Sequence, residues 1–226
     1  LLRDRLDCPV VIGSDRNAAI ELLSEQKVDL IISDDGLQHY KMARDYEVVV
    51  LDATRQLGNK WLLPAGPLRE GAWRLDTVDT VILNGSDKTE WGMEIVPSAW
   101  VNAKTGERKD LGFFVGQQLH AVAGIGNPQR FFTTLKDLSV DFEEHIFPDH
   151  HNFIKSDLDV INEFSAQLVM TEKDWVKCGA FVNESMWYLE IDASLNDRLA
   201  AKLIKDLTSL VTFEKTEQKN EDVKNG

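Results

Sequence analysis

The 226-residue chain has only two cysteines, fewer basic than acidic residues, and no long apolar run. Cys8 and Cys178 lie far apart and give neither a CxxC pair nor a zinc spacing, so we expect two reduced thiols. A net charge of −13 argues against a nucleic-acid groove, which needs a basic stripe. No stretch approaches the ~18 apolar residues of a membrane span. These absences indicate a globular protein that does not bind nucleic acid.

Apolar runs alternate with amphipathic patterns along the chain, which is typical of βαβ units and a mostly parallel sheet. In the first half, strands are predicted over 9–13, 28–33, 47–51 and 80–84, with a helix over 17–26. In the second half, strands are predicted over 120–124, 141–147, 168–171 and 187–191, with helices over 129–138, 156–164, 172–178 and 195–210. The expected fold class is α/β.

Turn residues mark the boundary between two expected domains. Asn102 to Gly106 separate the extended run 95–101 from a polar return strand, which predicts a β-hairpin. The expected order is a domain over 1–90, a hairpin linker over 91–112, a second, smaller α/β domain over 113–213 and a disordered tail over 214–226. The chain begins at Leu1 without Met, so we expect the later part of a longer protein whose first domain is incomplete at its N-terminus.

Two adjacent carboxylates, Asp34 and Asp35, follow the apolar run 28–33. Such a run suits a parallel strand buried on both faces, and open α/β sheets bind ligands beyond the carboxyl ends of their strands. Mg²⁺ typically takes one or two protein carboxylates beside phosphate oxygens, which this pair could supply. Asp35-Gly36 is also a common turn former, so these residues alone leave both a turn and a metal site open.

Further motifs follow the aspartate pair in a fixed order. They are Asp34-Asp35-Gly36-Leu37-Gln38-His39-Tyr40, Arg44-Asp45, Pro64-Ala65-Gly66-Pro67-Leu68-Arg69-Glu70, Gly124-Ile125-Gly126-Asn127-Pro128, Phe147-Pro148-Asp149-His150-His151 and Thr171-Glu172-Lys173-Asp174. Together they closely resemble the tetraacyldisaccharide 4'-kinases, the lipid A 4'-kinases of Gram-negative bacteria. The resemblance implies a P-loop-NTPase-like first domain with a Walker-B-like motif. It also implies an enzyme that moves the γ-phosphate of ATP to the 4'-hydroxyl of tetraacyldisaccharide 1-phosphate, giving lipid IVA.

The same resemblance implies ATP and Mg²⁺ as cofactors and assigns the site residues. The metal ligands are Asp34, Asp35 and Glu70, the catalytic residues are Asp35, Arg69 and His150, and the nucleotide contacts are Asp34, Gln38, His39 and Arg16. His151 is an alternative to His150. Without the resemblance, the Arg69-Glu70 pair reads as a surface ion pair, Arg16 as a solvated residue, and Gln38 and His39 as packing around a turn.

The phosphate-cradling loop and the catalytic-base Asp of that family lie before the part represented here. The motif GxxxxGK[ST] does not occur in the sequence, so we expect the chain to be inactive alone. The lipid acceptor implies a peripheral position at the cytoplasmic face of the inner membrane. Trp61, Leu62 and Leu63 could touch acyl chains there, since Trp favours the interface, but ordinary burial is the expectation.

Two other functions remain open from the sequence. A P-loop GTPase or metallochaperone would use Asp34 and Asp35 as magnesium carboxylates and would carry a guanine-selecting Asn-Lys-x-Asp motif. Thr171-Glu172-Lys173-Asp174 comes nearest, with Glu172 where the Asn would read the base. A non-catalytic nucleotide-binding fragment is the other alternative.

Overall fold

The computed structural model describes residues 2–85, 89–162 and 167–225. Its elements are α1 (Leu2–Arg5), α2 (Arg16–Ser24), β1 (Val48–Asp52), a 3₁₀ helix (Ala72–Thr77), β2 (Thr80–Asn84), β3 (Gly92–Asn102), β4 (Arg108–Lys109), β5 (Gln118–Ala123), α3 (Pro128–Asp137), β6 (Asp141–Ile146), α4 (Lys155–Asn162), β7 (Gln167–Thr171), α5 (Glu172–Cys178), a second 3₁₀ helix (Gly179–Phe181), β8 (Met186–Leu195) and α6 (Asp197–Asn225). The α/β class and the mostly parallel pairing are confirmed.

The chain divides into two compact units. One consists of Leu2–Ile95 with Ala193–Gly226, which we call the discontinuous unit, and the other is Val96–Asp192, the central unit. The break at Ile95 falls within the expected hairpin linker over 91–112. The last helix, however, belongs with the first part of the chain, whereas the sequence placed it in a domain over 113–213.

In the discontinuous unit, β1 pairs with β2 in parallel, and β2 pairs with the first residues of β3. Helix α6 is joined to this sheet by a polar cluster. Lys202 Nζ donates to Tyr46 Oη at 2.8 Å and to Thr80 Oγ1 at 2.9 Å, and the Tyr46 hydroxyl donates to Asp206 Oδ2 at 2.7 Å. These contacts explain why α6 groups with residues far from it in sequence.

Two of the predicted strands are absent. Residues 9–13 and 28–33 form no strand, and the side chains of Ile12 and Ile32 are 96% and 84% exposed. A strand needs a neighbour for its backbone N–H and C=O groups. Neither run has a ladder partner within the described ranges, so apolar composition alone was insufficient. The strands predicted over 47–51 and 80–84 are confirmed as β1 and β2.

In the central unit the strand order is β3-β8-β7-β5-β6, and β4 pairs with β3 as an antiparallel hairpin. β5 pairs in parallel with both β6 and β7, and β7 pairs in parallel with β8. The sheet is buried on both faces, because alternate residues of β5 enter two separate apolar clusters: Leu119, Ala121 and Ala123 enter one, and Val122 enters the other.

The last helix differs from its prediction in length. The sequence predicted it over 195–210, whereas Leu195 ends β8 and α6 runs from Asp197 to Asn225. Within this helix the side chain of Ile204 is 68% exposed, while that of Leu199 is fully buried. In the structure α6 continues through residues 214–225, which were expected to lie in a disordered tail. Disorder of 214–226 in solution stays a prediction.

Candidate functional site

The aspartate pair lies on a turn whose backbone is fixed by sterics. Asp34 and Asp35 are exposed, and Asp35 has a φ of 49°. Aspartate tolerates this left-handed conformation better than most residues. Gly36 follows in a buried position, where a Cβ atom would lie 2.7 Å from Ser33 Oγ and 3.2 Å from Met42 Cε. The turn therefore requires glycine at position 36 and leaves the aspartates at the surface.

The guanidinium of Arg44 stabilises the same turn through hydrogen bonds to its carbonyl oxygens. Its nitrogens donate to the carbonyl oxygens of Gly36 at 3.1 Å, Leu37 at 2.7 Å and His39 at 3.2 Å. Arg44 also forms an ion pair with Glu47 at 3.0 Å. Because a planar guanidinium has five donors in a rigid fork, one side chain fixes three carbonyls.

Four of the predicted site residues meet around this turn. Arg16 Nη2 donates to the carbonyl oxygen of Asp34 at 3.0 Å. Arg69 Nη1 donates to Gln38 Oε1 at 3.2 Å. The structure thus places Arg16 and Arg69, which are 53 positions apart in the sequence, beside the turn that carries the aspartates.

Glu70, predicted as a magnesium ligand, lies beside Arg74 in the structure. Its Oε2 lies 3.6 Å from Arg74 Nε, and Arg74 Nη2 lies 2.6 Å from Glu47 Oε1. The hydrogen bond with Glu47 raises the pKa of Arg74, which keeps its charge. The other carboxylate oxygen of Glu70, Oε1, is buried and has no hydrogen-bond partner within the described residues.

His39 lies at the edge of an open cavity of about 320 Å³. The cavity is lined by Ser14, Asp15, Asn17, His39 and Lys41. The Asp15 carboxylate caps α2 by accepting from the N–H groups of Asn17 and Ala18. The cavity therefore lies next to the turn. The Asp15 carboxylate in its lining is already hydrogen-bonded to the first turn of α2.

The residue types suit a magnesium ion, although among the described residues Asp34, Asp35 and Glu70 do not form a cluster of ligand atoms. Asp34, Asp35 and Glu70 offer carboxylate oxygens, which Mg²⁺ prefers as ligands. A buried acceptor without a partner, such as Glu70 Oε1, is uncommon, and a bound cation would satisfy it. Arg16 and Arg69 add positive charge beside the turn, which suits the phosphates that accompany Mg²⁺ in nucleotide sites.

The loops of the central unit are organised by a buried carboxylate, Asp174. Its Oδ2 accepts from the backbone N–H of Gly124 at 3.0 Å and from the Thr171 hydroxyl at 2.7 Å, and its Oδ1 accepts from Lys177 Nζ at 2.8 Å. The same lysine donates to the carbonyl of Gly124 at 3.0 Å. The Thr171–Asp174 motif thus caps α5 and fixes the loop after β5, which accounts for it without a guanine base.

His150 extends into solvent from the loop after β6. Its side chain is 75% exposed, its φ is 58°, and its Nε2 lies 3.8 Å from Asp149 Oδ2. The backbone N–H of His150 donates to Asp149 Oδ1 at 3.0 Å, and Lys173 Nζ lies 4.0 Å from the same oxygen. The imidazole is accessible to a partner group.

His151 is held in place. Its Nε2 is 2.8 Å from Asp157 Oδ2, and its ring packs against those of Phe147 and Phe153 with centroids 4.8 and 4.9 Å away. This hydrogen bond and the one from the Ile154 N–H lower the pKa of Asp157. The geometry gives His151 a structural role and leaves His150 as the accessible imidazole of the two.

The segment Trp61-Leu62-Leu63, expected to be buried, is exposed. The three residues are 66%, 50% and 60% exposed. The loop around them is closed by hydrogen bonds, since Asn59 Nδ2 donates to the Ala65 carbonyl at 3.0 Å and Asn59 Oδ1 accepts from the Trp61 N–H at 3.1 Å. The expectation of ordinary burial is wrong, because the apolar side chains lie outside a loop that its own backbone holds together.

Three supporting residues escaped the sequence reasoning. Arg44 was read only as part of a motif, while Arg74 and Asp157 were assigned no role as partners of Glu70 and His151. Each supports a predicted residue through a side-chain contact. Of the three, only Arg44 could have been singled out from the sequence, because it follows shortly after the aspartate turn.

Across the described ranges, no helix has the length and apolar character needed to cross a membrane. The parallel strands define an α/β protein, in which carboxylates and arginines lie on and beside one turn. A family model described as "Tetraacyldisaccharide-1-P 4'-kinase" matches residues 1–208. The chain belongs to this family.

Individual relatives agree with the family model. A "Tetraacyldisaccharide 4'-kinase" of Ruthia magnifica subsp. Calyptogena magnifica is 47% identical over 205 residues, covering 90% of this chain and 64% of the relative. One of Pseudomonas putida (strain W619) is 51% identical over 198 residues, covering 85% and 58%. This chain thus spans about three fifths of the length of these curated relatives.

The fold also matches a solved structure. The crystal structure of LpxK from Aquifex aeolicus, described as a complex with ATP, aligns with a TM-score of 0.60 at 23% identity. The alignment covers 78% of this chain and 56% of that one. At this identity the likeness establishes the fold alone.

Proposed function

We propose that this chain is part of a tetraacyldisaccharide 4'-kinase, which transfers the γ-phosphate of ATP to the 4'-hydroxyl of tetraacyldisaccharide 1-phosphate and gives lipid IVA. The observation that carries the proposal is the contact of Arg69 with Gln38, which joins a phosphate-binding residue type to the Asp34-Asp35 turn. Family membership supports the same reaction.

The residues of the turn take distinct roles. Asp34, Asp35 and Glu70 would hold Mg²⁺, which would neutralise charge on the nucleotide phosphates. Asp35 is the carboxylate on which the transfer depends most. Phosphoryl transfer is catalysed mainly by positioning and by stabilising charge on the transferring group, so few protein groups need to react themselves.

The cations and polar groups around the turn position the phosphates. Arg69 uses one donor on Gln38, and its fork has further N–H groups for a phosphate oxygen. Gln38 thereby orients Arg69. Arg16, held by the Asp34 carbonyl, contributes positive charge, and His39 lines the cavity on the side where we place the nucleotide.

His150 acts on proton transfer in this proposal. An exposed imidazole can orient a carboxylate base and tune its proton affinity. The family resemblance places that carboxylate in a segment before the part represented here. Because the sequence also lacks GxxxxGK[ST], we propose that the chain by itself does not turn over.

The lipid acceptor calls for a peripheral site at the cytoplasmic face of the inner membrane. The exposed side chains of Trp61, Leu62 and Leu63 support this part of the proposal. Trp is enriched at membrane interfaces, and Lys60 precedes the segment with a charge that suits anionic headgroups. We expect this loop to touch acyl chains or the interface.

The reaction can be tested with a chimera that joins this chain to the part of the Ruthia magnifica relative that it does not match. We expect ATP-dependent phosphorylation of tetraacyldisaccharide 1-phosphate in detergent, and none with the 226-residue chain alone. Asp35→Asn in the chimera should remove most of the Mg²⁺-dependent rate. Asp76→Asn, an exposed acid in the first 3₁₀ helix, is the matched control and should leave the rate intact.

Three outcomes would contradict parts of this proposal. Preference for GTP over ATP would favour the GTPase reading. A folded chimera that binds ATP without transferring phosphate would favour a non-catalytic nucleotide-binding role. Full activity of Asp35→Asn would remove that residue from the metal site.

A further inference from the structure

Two imidazoles and a carboxylate meet on the sheet of the central unit. His120 Nδ1 lies 3.0 Å from His145 Nε2. Glu143 reaches both rings, with oxygens 3.8 Å from His120 Nδ1 and 4.0 Å from His145 Nε2. One ligand atom from each of the three residues lies within 4.8 Å of the others. The kinase reaction proposed above uses none of these residues.

The strand register brings these side chains together. β5 and β6 are parallel, with His120 opposite Glu143 and Val122 opposite His145. Because side chains alternate between the faces of a strand, residues two apart share a face. The three groups therefore lie on one face of two neighbouring strands, and the rigid backbone fixes their spacing. His120 and His145 are largely buried, with side chains 12% and 22% exposed, whereas Glu143 is 66% exposed.

We propose that His120, Glu143 and His145 form a binding site for a divalent transition-metal ion of the Zn²⁺ class. Imidazole nitrogens suit Zn²⁺, and a carboxylate oxygen is a regular third ligand. Three protein ligands leave a fourth position for water, and the exposed carboxylate marks the side from which an ion enters. Mg²⁺, which prefers oxygen ligands, fits this site poorly.

The ligand atoms need little movement to coordinate an ion. Ligand atoms bound ~2.0 to 2.1 Å from one zinc ion in a tetrahedron lie roughly 3.3 Å apart. The two ring nitrogens, at 3.0 Å, are already near this separation. Glu143, on the surface, can approach by a rotamer change.

The ion would join β6 to β5. β6 is the last strand in the order of this sheet, and an edge strand has a neighbour on one side only. All three ligand residues lie on strands, whereas Asp149 and His150 lie in the loop that follows β6. We therefore assign it a stabilising role and not a catalytic one.

The site can be tested by calorimetric titration of ZnCl₂ into the metal-free 226-residue chain, in a buffer without phosphate. We expect one equivalent to bind and to raise the thermal unfolding temperature, since an ion that binds only the folded state stabilises it. His145→Gln should abolish this binding, and Glu143→Gln should weaken it by more than an order of magnitude. Co²⁺ in the same site should give the visible absorption of tetrahedral coordination.

His150→Gln is the matched control, because it removes another imidazole that stands near a carboxylate. It should bind one equivalent with unchanged affinity. Equal affinity in wild type, His145→Gln and Glu143→Gln would overturn the proposal by showing an adventitious ion elsewhere. No stoichiometric binding by the folded wild type would overturn it as well and would leave a simple imidazole pair. Because Glu143 is exposed, Glu143→Gln remains decisive if His145→Gln fails to fold.

Discussion

Arg44 Nη1 donates to the carbonyl oxygen of Leu37 at 2.7 Å, the shortest of three bonds that this guanidinium makes to the aspartate turn. Arg44→Ala should leave those carbonyls without their charged donor and cost about 2 kcal/mol of local stability. Hydrogen exchange at the amides of 34–42 should accelerate accordingly. Arg55→Ala, at an exposed position, should leave this exchange unchanged; equal protection in both variants would contradict the role of Arg44.

Gly36→Ala tests the packing of the turn. The new Cβ would meet Ser33 Oγ at 2.7 Å, so the backbone must shift, at a cost of roughly 1 to 3 kcal/mol. Gly13→Ala is the control, because its Cβ would make only an ordinary contact at 3.5 Å. Thermal unfolding of both variants measures the difference. A Gly36→Ala protein as stable as Gly13→Ala would show that the turn can relax without cost.

Asp174→Asn should destabilise the central unit by about 3 kcal/mol, because it breaks a buried pair with Lys177 and places an amide where Gly124 donates. Urea unfolding followed by Trp fluorescence measures this loss. Asp159→Asn, which removes an exposed ion pair on α4, should change stability by less than about 1 kcal/mol. Similar effects of the two substitutions would refute the structural role assigned to Asp174.

Stability in acid should depend on Asp157. His151 and the Ile154 N–H hold the pKa of Asp157 below its ordinary 3.8, so the folded state favours the ionised carboxylate. That contribution is fully present above pH 3.8 and is lost as the pH falls through the lowered value. Between pH 7 and 3, the unfolding temperature of Asp157→Asn should fall less steeply than that of wild type. Parallel curves for the two proteins would argue against the coupling.

The two thiols should differ sharply in reactivity. Burial raises the pKa of Cys178 to about 12, whereas Cys8 is exposed. Since the thiolate is the reactive form, a thiol reagent at pH 8 should modify one cysteine in the native chain and two in denaturant. Cys8→Ser should remove the native reaction, and Cys178→Ser should not. Rapid native modification of Cys178 would show that its region opens readily.

Local patterns predicted the elements of the central unit well. α5 was predicted over its full range, 172–178, and the hairpin of β3 and β4 was predicted from the turn at Asn102 to Gly106. Both depend on signals within a few residues, namely a capping Thr and a turn between extended runs. Strands 9–13 and 28–33 failed, because strand formation depends on a partner distant in sequence.

In the candidate site, too, some residues could be predicted from the sequence and others could not. Asp34 and Asp35 stand out by their position after an apolar run, and the family resemblance supplied Arg16, Gln38 and Arg69, which the structure brings to the same turn. The contact of Glu70 with Arg74 is local, four residues along the chain, whereas the second partner of Arg74, Glu47, comes from a distant segment that no periodic pattern indicates. The imidazole pair of His120 and His145 was missed because strand register, and not sequence spacing, creates it.

The discontinuous unit has a consequence for how the protein is made. Residues 96–192 lie between its two parts, so a ribosome completes the central unit before α6 is available to the first part. Domains fold as units during synthesis, and the polar cluster of Tyr46 and Thr80 must wait for Lys202 and Asp206. A chain that stopped after 192 would thus carry a complete central unit and an incomplete discontinuous unit, so folding of the discontinuous unit depends on synthesis of α6.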